Sequence, residues 1–339
     1  MTRRTTLQTA LAAATAAIAF VATGAGAANA TTNATTNAAP LPAHVFAPYF
    51  EGYNTSSGGL AQLSQASGAS YLSLAFLQTA THGSCTAYWE GDTSMPIAQS
   101  SFGSAISTIQ ANGGNVIPSF GGASADNGGT DIAASCTSVS KIAAVYEDVF
   151  TTYNVPRIDL DVEGNELGNA GATQRRNEAI AQVEAWAKSN GRSVQFSYTL
   201  PSNPTGMSGQ DKKEIQSAIA DGATISSVNM MTFDYFIGSK QEMATDTKSA
   251  GSDTHSQLQA LYPSLSSTQI WNMIGIIEMP GIDDFGAAET FTQADANTVL
   301  SWASSNGINT LSFWALQRDN GGCPGTKGSD TCSGISQPT

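Results

Sequence analysis

Apolar and β-branched residues cluster in short runs that recur at similar intervals along the chain. Several runs alternate apolar and polar positions, which is the two-residue period of a half-buried β-strand. Polar and glycine-rich stretches separate them and supply turns. The eight runs predicted as strands are 44–50, 71–77, 115–121, 157–163, 193–200, 227–236, 273–279 and 310–316.

Segments between these runs have the longer period of amphipathic helices. Residues 173–191 place Ile180, Val183 and Trp186 on one stripe and reach Gly191, a residue that suits the end of a helix. Residues 140–154 and 293–307 repeat the pattern, and in the second segment Val299, Leu300 and Ala303 form the predicted apolar face.

Eight alternations of strand and helix predict a fold of the α/β class, a (β/α)₈ or TIM barrel that forms a single catalytic domain over residues 43–322. A doubly wound open sheet is the alternative. Such a sheet usually binds a nucleotide through a glycine-rich turn after an early strand. The glycine-rich stretch at 119–129 lacks the Gly-Lys-Ser/Thr of a phosphate loop, so the barrel is favoured and no nucleotide cofactor is expected.

The first thirty residues are typical of a secretory signal peptide. Arg3 and Arg4 precede an apolar stretch, and Ala-Asn-Ala at 28–30 matches a cleavage site. We therefore expect cleavage near Ala30 and an extracellular protein. Residues 31–42 are predicted to be a disordered linker, and residues 323–339 a short C-terminal tail.

The net charge narrows the classes of partner that the protein can bind. The formal charge is −13, and cleavage after Ala30 would remove Arg3 and Arg4 and bring it to −15. Such an acidic protein repels nucleic acids and anionic membranes, so we expect neither as a partner, and we expect a monomer.

Four cysteines in an exported chain predict two disulfides, Cys323–Cys332 as the local pair and Cys85–Cys136. No Cys-x-x-Cys or His-x-x-x-His pair supports a metal site.

Three acids stand two residues apart in the fourth run, Arg-Ile-Asp-Leu-Asp-Val-Glu. On a strand, Asp159, Asp161 and Glu163 point to one face, while Ile158, Leu160 and Val162 fill the other. In a barrel they would line the C-terminal end of strand four, where active sites lie. Like charges this close cannot all ionise easily, so we expect at least one raised pKa, as glycoside hydrolysis requires.

Four motifs together resemble glycoside hydrolase family 18, the chitinase family. Asp-Leu-Asp-Val-Glu at 159–163 resembles the Asp-x-Asp-x-Glu of its strand four, and Ser-Phe-Gly-Gly at 119–122 resembles its strand-three motif. Met-Thr-Phe-Asp-Tyr at 231–235 is similar to its strand-six Met-x-Tyr-Asp, and Trp314 to its strand-eight tryptophan. The motifs occur in the family's order and span most of the chain.

The resemblance implies a secreted chitinase that acts on chitin or chitooligosaccharides by a retaining, substrate-assisted mechanism. Glu163 would be the general acid and base, Asp161 would orient the substrate's acetamido group, and Asp159 would share a proton or hydrogen bond with Asp161. The residues expected to bind substrate are Met231, Phe233, Asp234, Tyr235, Trp314 and Tyr49. Two alternatives stay open: an endo-β-N-acetylglucosaminidase that acts on glycoprotein glycans, and a non-catalytic chitin-binding barrel.

One position departs from that simple assignment. Phe233 stands where many members have a tyrosine that holds the acetamido group, and Tyr235 is the candidate to supply the hydroxyl instead. Aromatic residues near the ends of the first two strands are candidates for stacking on sugar rings. They are Tyr49, Phe50, Tyr53 and Trp89.

Overall fold

A computed structural model describes residues 38–338, which belong to one compact unit. The signal peptide predicted at 1–30 and most of the predicted linker lie outside the described residues. The strands are β1 (Val45–Phe46), β2 (Tyr49–Glu51), β3 (Tyr71–Thr79), β4 (Ala87–Trp89), β5 (Asn115–Gly121), β6 (Arg157–Asp161), β7 (Gln195–Pro201), β8 (Ser227–Met231), β9 (Ile274–Glu278), β10 (Gly281–Ile282), β11 (Thr290–Phe291) and β12 (Thr310–Phe313).

The main sheet closes into a parallel barrel. Its order is β1-β12-β9-β8-β7-β6-β5-β3-β2, so the ring ends on two short strands that follow one another in the chain. Val45 pairs with Thr310 of β12, and Tyr49 pairs with Ser73 of β3. Together β1 and β2 fill one barrel position, and the interruption falls at Pro48, which has no N–H to donate to a ladder. All eight predicted strands are thus confirmed, and so is the (β/α)₈ barrel.

Helices cover the outside of the barrel. They are α1 (Leu60–Ser67), α2 (Ser104–Ala111), α3 (Ala123–Gly128), α4 (Ile132–Ser135), α5 (Val139–Tyr153), α6 (Ala170–Ser189), α7 (Gly209–Asp221), α8 (Met243–Leu261), α9 (Ser267–Trp271) and α10 (Gln293–Asn306). No helix within residues 38–338 is both long enough and apolar enough to cross a membrane.

The three predicted helices form close to their expected bounds as α5, α6 and α10, but one predicted core position is wrong. In α10, Val299 and Ala303 are buried while Leu300 is 53 % exposed. The buried stripe of α10 is narrow because only positions four apart face the barrel, and Leu300 lies beside that stripe.

Both predicted disulfides are present. Cys85–Cys136 joins the loop before β4 to the end of α4, and Cys323–Cys332 closes a loop in the C-terminal tail. This tail packs on the barrel rather than extending from it. Ser333 is fully buried, and its carbonyl accepts the N–H of Ile282 in β10.

Candidate active site

The fourth barrel strand carries the acidic row to the C-terminal end of the barrel. Ile158, Leu160 and Val162 are buried in the core between barrel and helices, so Asp159 and Asp161 point into the lumen on the other face. The strand ends at Asp161, and Glu163 follows just beyond it, half-buried at the mouth. The three acids therefore rise from the lumen to the mouth in chain order.

Asp159, the deepest acid, is surrounded by hydrogen-bond donors. Five side chains from β2, β5, β7 and β8 bond to its two carboxylate oxygens over 2.6–3.2 Å. They are Tyr49, Ser119, Ser197, Thr199 and Asn229. Burial raises the pKa of Asp159, and these donors oppose that rise because they favour the charged form.

Asp161 is the least satisfied acid of the row. It is 3 % exposed, and its Oδ1 has no hydrogen-bond partner among the described residues. Burial first, and then the charges of Glu163, Asp159 and Asp126, hold the pKa of Asp161 well above its ordinary value. The oxygens of Asp159 bond to the five donors, and the proton or hydrogen bond that Asp159 would share with Asp161 stays a prediction.

Glu163 has the environment of a group that exchanges a proton near neutral pH. Burial raises its pKa to about 7, while a bond from the backbone at Ala123 works in the opposite direction. Its own main-chain N–H donates to the carboxylate of Asp126 on α3. A carboxyl that is protonated in part near pH 7 can give a proton and take one back.

A cleft of about 550 Å³ opens above this row. Asp161 and Glu163 line it together with Met231, Phe233, Asp234 and Trp314. Trp314 stacks on Phe76, with ring centroids 5.5 Å apart and planes 15° from parallel, and Tyr49 lies 5.4 Å from Trp314. The row of acids thus faces an aromatic surface of the kind on which a sugar ring can pack.

Asp234 lines the cleft and also holds the loop that follows β10. Its Oδ1 accepts the N–H groups of Asp284 and Phe285 over 3.0 and 3.4 Å, and its backbone has a positive φ of 51°. Burial, with the nearby charges of Asp283 and Asp284, raises the pKa of Asp234 to about 7. The residue is therefore held rigidly beside the cleft.

One group of described residues has the composition of a cation site. Carboxylate oxygens of Asp234, Asp283 and Glu289 lie within 4.8 Å of one another. Backbone N–H groups already bond to them: that of Asp234 donates to Asp283 over 3.0 Å, and that of Tyr235 to Glu289 over 2.7 Å. The three acids therefore hold the segment after β8 against the segment after β10.

Three of the aromatic candidates do not reach the cleft. Tyr235 is 7 % exposed, and its hydroxyl is enclosed in the core, so it does not supply the group that Phe233 lacks. Phe50 points outward into the core, and Trp89 is fully buried and bonds through Nε1 to the Tyr153 hydroxyl. Tyr49 lines the cleft but uses its hydroxyl on Asp159, whereas Tyr53 lines it and is exposed.

Four residues in or beside the cleft were not predicted from the sequence: Phe76, Glu90, Asp126 and Asp284. Phe76 lies inside an apolar run that gives no sign of which residue faces the cleft. Glu90 accepts the N–H of Phe76 over 3.0 Å and comes from β4 and its turn, which were not predicted. Asp126 was detectable only as the one acid in the glycine-rich stretch that follows β5.

Comparison with known proteins agrees with this architecture. The family model described as Glycosyl hydrolases family 18 matches residues 45–276. A probable bifunctional chitinase/lysozyme of Escherichia coli is 30% identical over 82% of the chain, and Endochitinase 11 of Metarhizium anisopliae is 30% identical over 82% of it. The matched segments cover only 31% and 53% of those two proteins.

A solved structure matches over a larger share of its own length. The catalytic domain of a hyperthermophilic chitinase from Pyrococcus furiosus superposes with a TM-score of 0.77 and 29% identity. That match covers 89% of this chain and 93% of the other.

Proposed function

The chain belongs to glycosyl hydrolases family 18. From that premise we propose that it is a chitinase, which hydrolyses β-1,4 linkages between N-acetylglucosamine units of chitin or chitooligosaccharides. The observation that carries the proposal is the row of Asp159, Asp161 and Glu163 beneath a cleft with an aromatic wall. The names of the relatives are consistent with it.

The proposed reaction has two steps and uses the substrate's own acetamido group as the nucleophile. Glu163 protonates the oxygen of the leaving sugar while the acetamido carbonyl oxygen attacks the anomeric carbon, which gives a cyclic oxazolinium ion. Glu163, now a carboxylate, then takes a proton from water, and that water attacks the same carbon and reopens the ring. Two inversions at the anomeric carbon leave its configuration retained.

The other acids support the charge that develops in this reaction. Asp161, with an unpartnered oxygen at the cleft floor, orients the acetamido N–H and stabilises the positive ring. Asp159 lies below Asp161 in the lumen and shares a proton or hydrogen bond with it, which adjusts the charge of Asp161. Asp234, which lines the same cleft, helps to polarise the acetamido group, and Trp314 supports the apolar face of the reacting sugar.

A substrate comparison tests the activity. The mature chain should release short products from chitin oligomers and none from a high-mannose glycoprotein, as followed by chromatography. Release from the glycoprotein alone would identify an endo-β-N-acetylglucosaminidase. Binding of chitin oligomers without turnover would identify a non-catalytic barrel, although Glu163, the acid that such a barrel would have lost, is present.

The mechanism has a separate test. Proton NMR of the first product should show the β-anomer before mutarotation, and a thiazoline analogue of the oxazolinium ion should inhibit competitively because it resembles the intermediate. A trapped covalent bond between the sugar and Asp161 would replace this mechanism with ordinary two-carboxylate retention.

We also propose that the protein is exported as a monomer after cleavage near Ala30. The proposal rests on the basic, apolar and Ala-x-Ala pattern of residues 1–30. Sequencing the N-terminus of the extracellular protein should find Thr31, and light scattering should give the mass of a single chain. Retention of Arg3 and Arg4 in the extracellular protein would exclude the cleavage.

A further inference from the structure

Asp126 is a fourth buried acid beside the catalytic row. It lies on the six-residue helix α3, directly after the strand β5, and is 1 % exposed while its neighbours Ser124 and Asn127 are exposed. One of its oxygens, Oδ2, accepts the main-chain N–H of Glu163. The carboxyl thus touches the backbone of the proposed general acid and turns away from solvent.

This bond replaces a ladder bond that the barrel cannot make. The pairing of β5 with β6 ends where Gly121 pairs with Asp161. Beyond that point β5 turns into α3, so no strand carbonyl is available for the N–H of Glu163. Because a buried N–H without an acceptor is costly, the Asp126 carboxyl takes the role of the missing strand.

The close approach of α3 and the end of β6 requires glycine on both sides. A Cβ on Gly121 would lie 2.0 Å from the carbonyl oxygen of Asp161 and 3.5 Å from Oδ1 of Asp126. A Cβ on Gly164 would lie 2.8 Å from Oδ1 of Asn127, and Gly164 has a φ of +46°. The contact between Asp126 and Glu163 is therefore built into the backbone of both segments.

The surroundings of Asp126 favour an uncharged carboxyl. Its Oδ1 is buried and has no hydrogen-bond partner within residues 38–338. Glu163, Asp161 and Asp131, the residue that caps α4, are close enough for their charges to act on Asp126. The nearby cation, Arg176 of α6, is already paired with Asp131 at 3.0 Å and Glu214 at 2.6 Å. Burial and the charge of Asp131 raise the pKa of Asp126 to about 9.

We propose that Asp126 is a positioning residue of the proposed reaction, whose neutral carboxyl fixes the main chain of Glu163 without adding a charge beside Asp161. An ionised acid here would repel the acids of the row at the moment when Glu163 becomes a carboxylate. A neutral one still accepts the N–H through its carbonyl oxygen. The inference rests on the proposed function for its catalytic part, and on the burial of Asp126, its unpartnered Oδ1 and the acids around it for its protonation part.

Two substitutions separate position from charge. Asp126→Asn keeps a carbonyl acceptor and no charge, so kcat and the basic limb of its pH profile should stay close to those of the unchanged protein. Asp126→Ala removes the acceptor, and kcat should fall by about 10²-fold with little change in KM, the size expected when a catalytic group is misplaced by about 1 Å. Asp253→Asn, at an exposed position of α8, is the matched control.

The protonation state of Asp126 can be measured without any substrate. An acid whose pKa is raised on folding stabilises the protein least above its folded pKa, because the unfolded chain then holds the charge more easily. Replacing Asp126 by Asn removes that penalty. The Tm difference between Asp126→Asn and the unchanged protein should therefore grow in favour of the variant as pH rises from about 4 towards about 9.

Each outcome of these experiments tests one part of the proposal. A wild-type protein that turns over no chitin oligomer refutes the proposed function, but the Tm experiment still tests the protonation of Asp126. An active wild type with an equally active Asp126→Ala overturns the positioning role. A Tm difference that moves against Asp126→Asn with rising pH, or a basic limb that shifts to lower pH in that variant, shows that Asp126 is ionised and overturns the proposal. If Asp126→Ala does not fold, the Asn variant still gives the two decisive readouts.

Discussion

The hydroxyl of Tyr49 donates a hydrogen bond of 2.8 Å to Oδ2 of Asp159 across the barrel lumen. The bond links β2, in the first of the eight barrel positions, to β6, in the fourth. Oγ1 of Thr199 on β7 lies 2.9 Å from the same hydroxyl. Both residues are at least 98 % buried, so water does not compete for the bond. The contact makes Tyr49 part of the support for the acidic row, while its ring lines the cleft beside Trp314.

Replacing Tyr49 with Phe should lower both stability and rate. The variant loses a hydrogen bond to a charged acceptor, which is worth about 1.5–3 kcal/mol of unfolding free energy. With one donor fewer, the pKa of Asp159 rises further, and Asp159 competes with Asp161 for a proton. Urea unfolding and kcat measure the two effects. Tyr71→Phe, at a tyrosine whose hydroxyl has no hydrogen bond to other described residues, is the control, and an equal effect at both positions would contradict the assignment.

Replacing Glu163 with Gln should keep the shape of the cleft and remove the transferable proton. General acid–base catalysis contributes about 10²–10⁴-fold, so kcat on chitin oligomers should fall at least that far while the Kd for the oligomer changes little. Isothermal titration measures the Kd. Glu178→Gln, at a half-buried position of α6, is the matched control, and turnover by Glu163→Gln close to that of the wild type would exclude Glu163 as the acid.

Periodicity was sufficient to predict the barrel but not the environment of its acids. The alternation in Arg157–Asp161 places Asp159 and Asp161 in the lumen, and strand ends bring the acids to the barrel mouth. By contrast, the donors around Asp159 come from four other strand positions, and only the ring order brings Tyr49 and Asn229 to the same carboxylate. Contacts of this kind depend on closure of the sheet, which no local pattern encodes.

Loops were the least predictable part of the site. Tyr235 follows a cleft residue by one position, yet the positive φ at Asp234 turns it into the core. The hairpin of β3 and β4 brings Glu90 against the backbone of Phe76, although β4 has only three residues and no strong alternation. In such segments one dihedral angle decides which side chain reaches the cleft.

Replacing Trp314 with Ala should weaken productive binding. Loss of about 1.5–3 kcal/mol of contact with the aromatic side chain corresponds to a loss of about 13- to 160-fold in kcat/KM. Trp314→Phe should recover part of the loss because a ring can still stack on Phe76. Trp271→Ala, at a half-buried tryptophan that packs on Trp302 outside the barrel, controls for general destabilisation. Equal kcat/KM values for Trp314→Ala and wild type would remove Trp314 from the substrate site.

The two disulfides should contribute unequally to stability. They link residues 51 and 9 positions apart, and the chain-entropy relation gives about 4 and about 2.6 kcal/mol for loops of those lengths. The double variant Cys85→Ser/Cys136→Ser should therefore lose more unfolding free energy than Cys323→Ser/Cys332→Ser, as measured in urea. Peptide mapping without reduction provides the check on pairing, and a peptide that joins Cys85 to Cys323 would contradict it.

Replacing Asp161 with Asn should change both the rate and its pH dependence. Asp161 and Glu163 repel each other in a buried site, and this repulsion raises the pKa at which the pair loses its last proton. With Asn at 161 that part of the rise is removed, so Glu163 ionises at lower pH and the basic limb of the kcat profile moves to lower pH. The loss of a preorganised charge beside the oxazolinium ion should also reduce kcat by about 10²–10³-fold at the optimum.

The same variant separates the role of Asp161 from that of Asp159. Asp159→Asn leaves the acid that faces the acetamido group in place, so its loss of rate should be smaller, and the thiazoline analogue should still inhibit. Asp161→Asn should bind that analogue less tightly, because the ring nitrogen loses its charged partner. A basic limb that stays fixed in Asp161→Asn while it moves in Asp159→Asn would reverse the two roles and place the stabilising charge at the deeper residue.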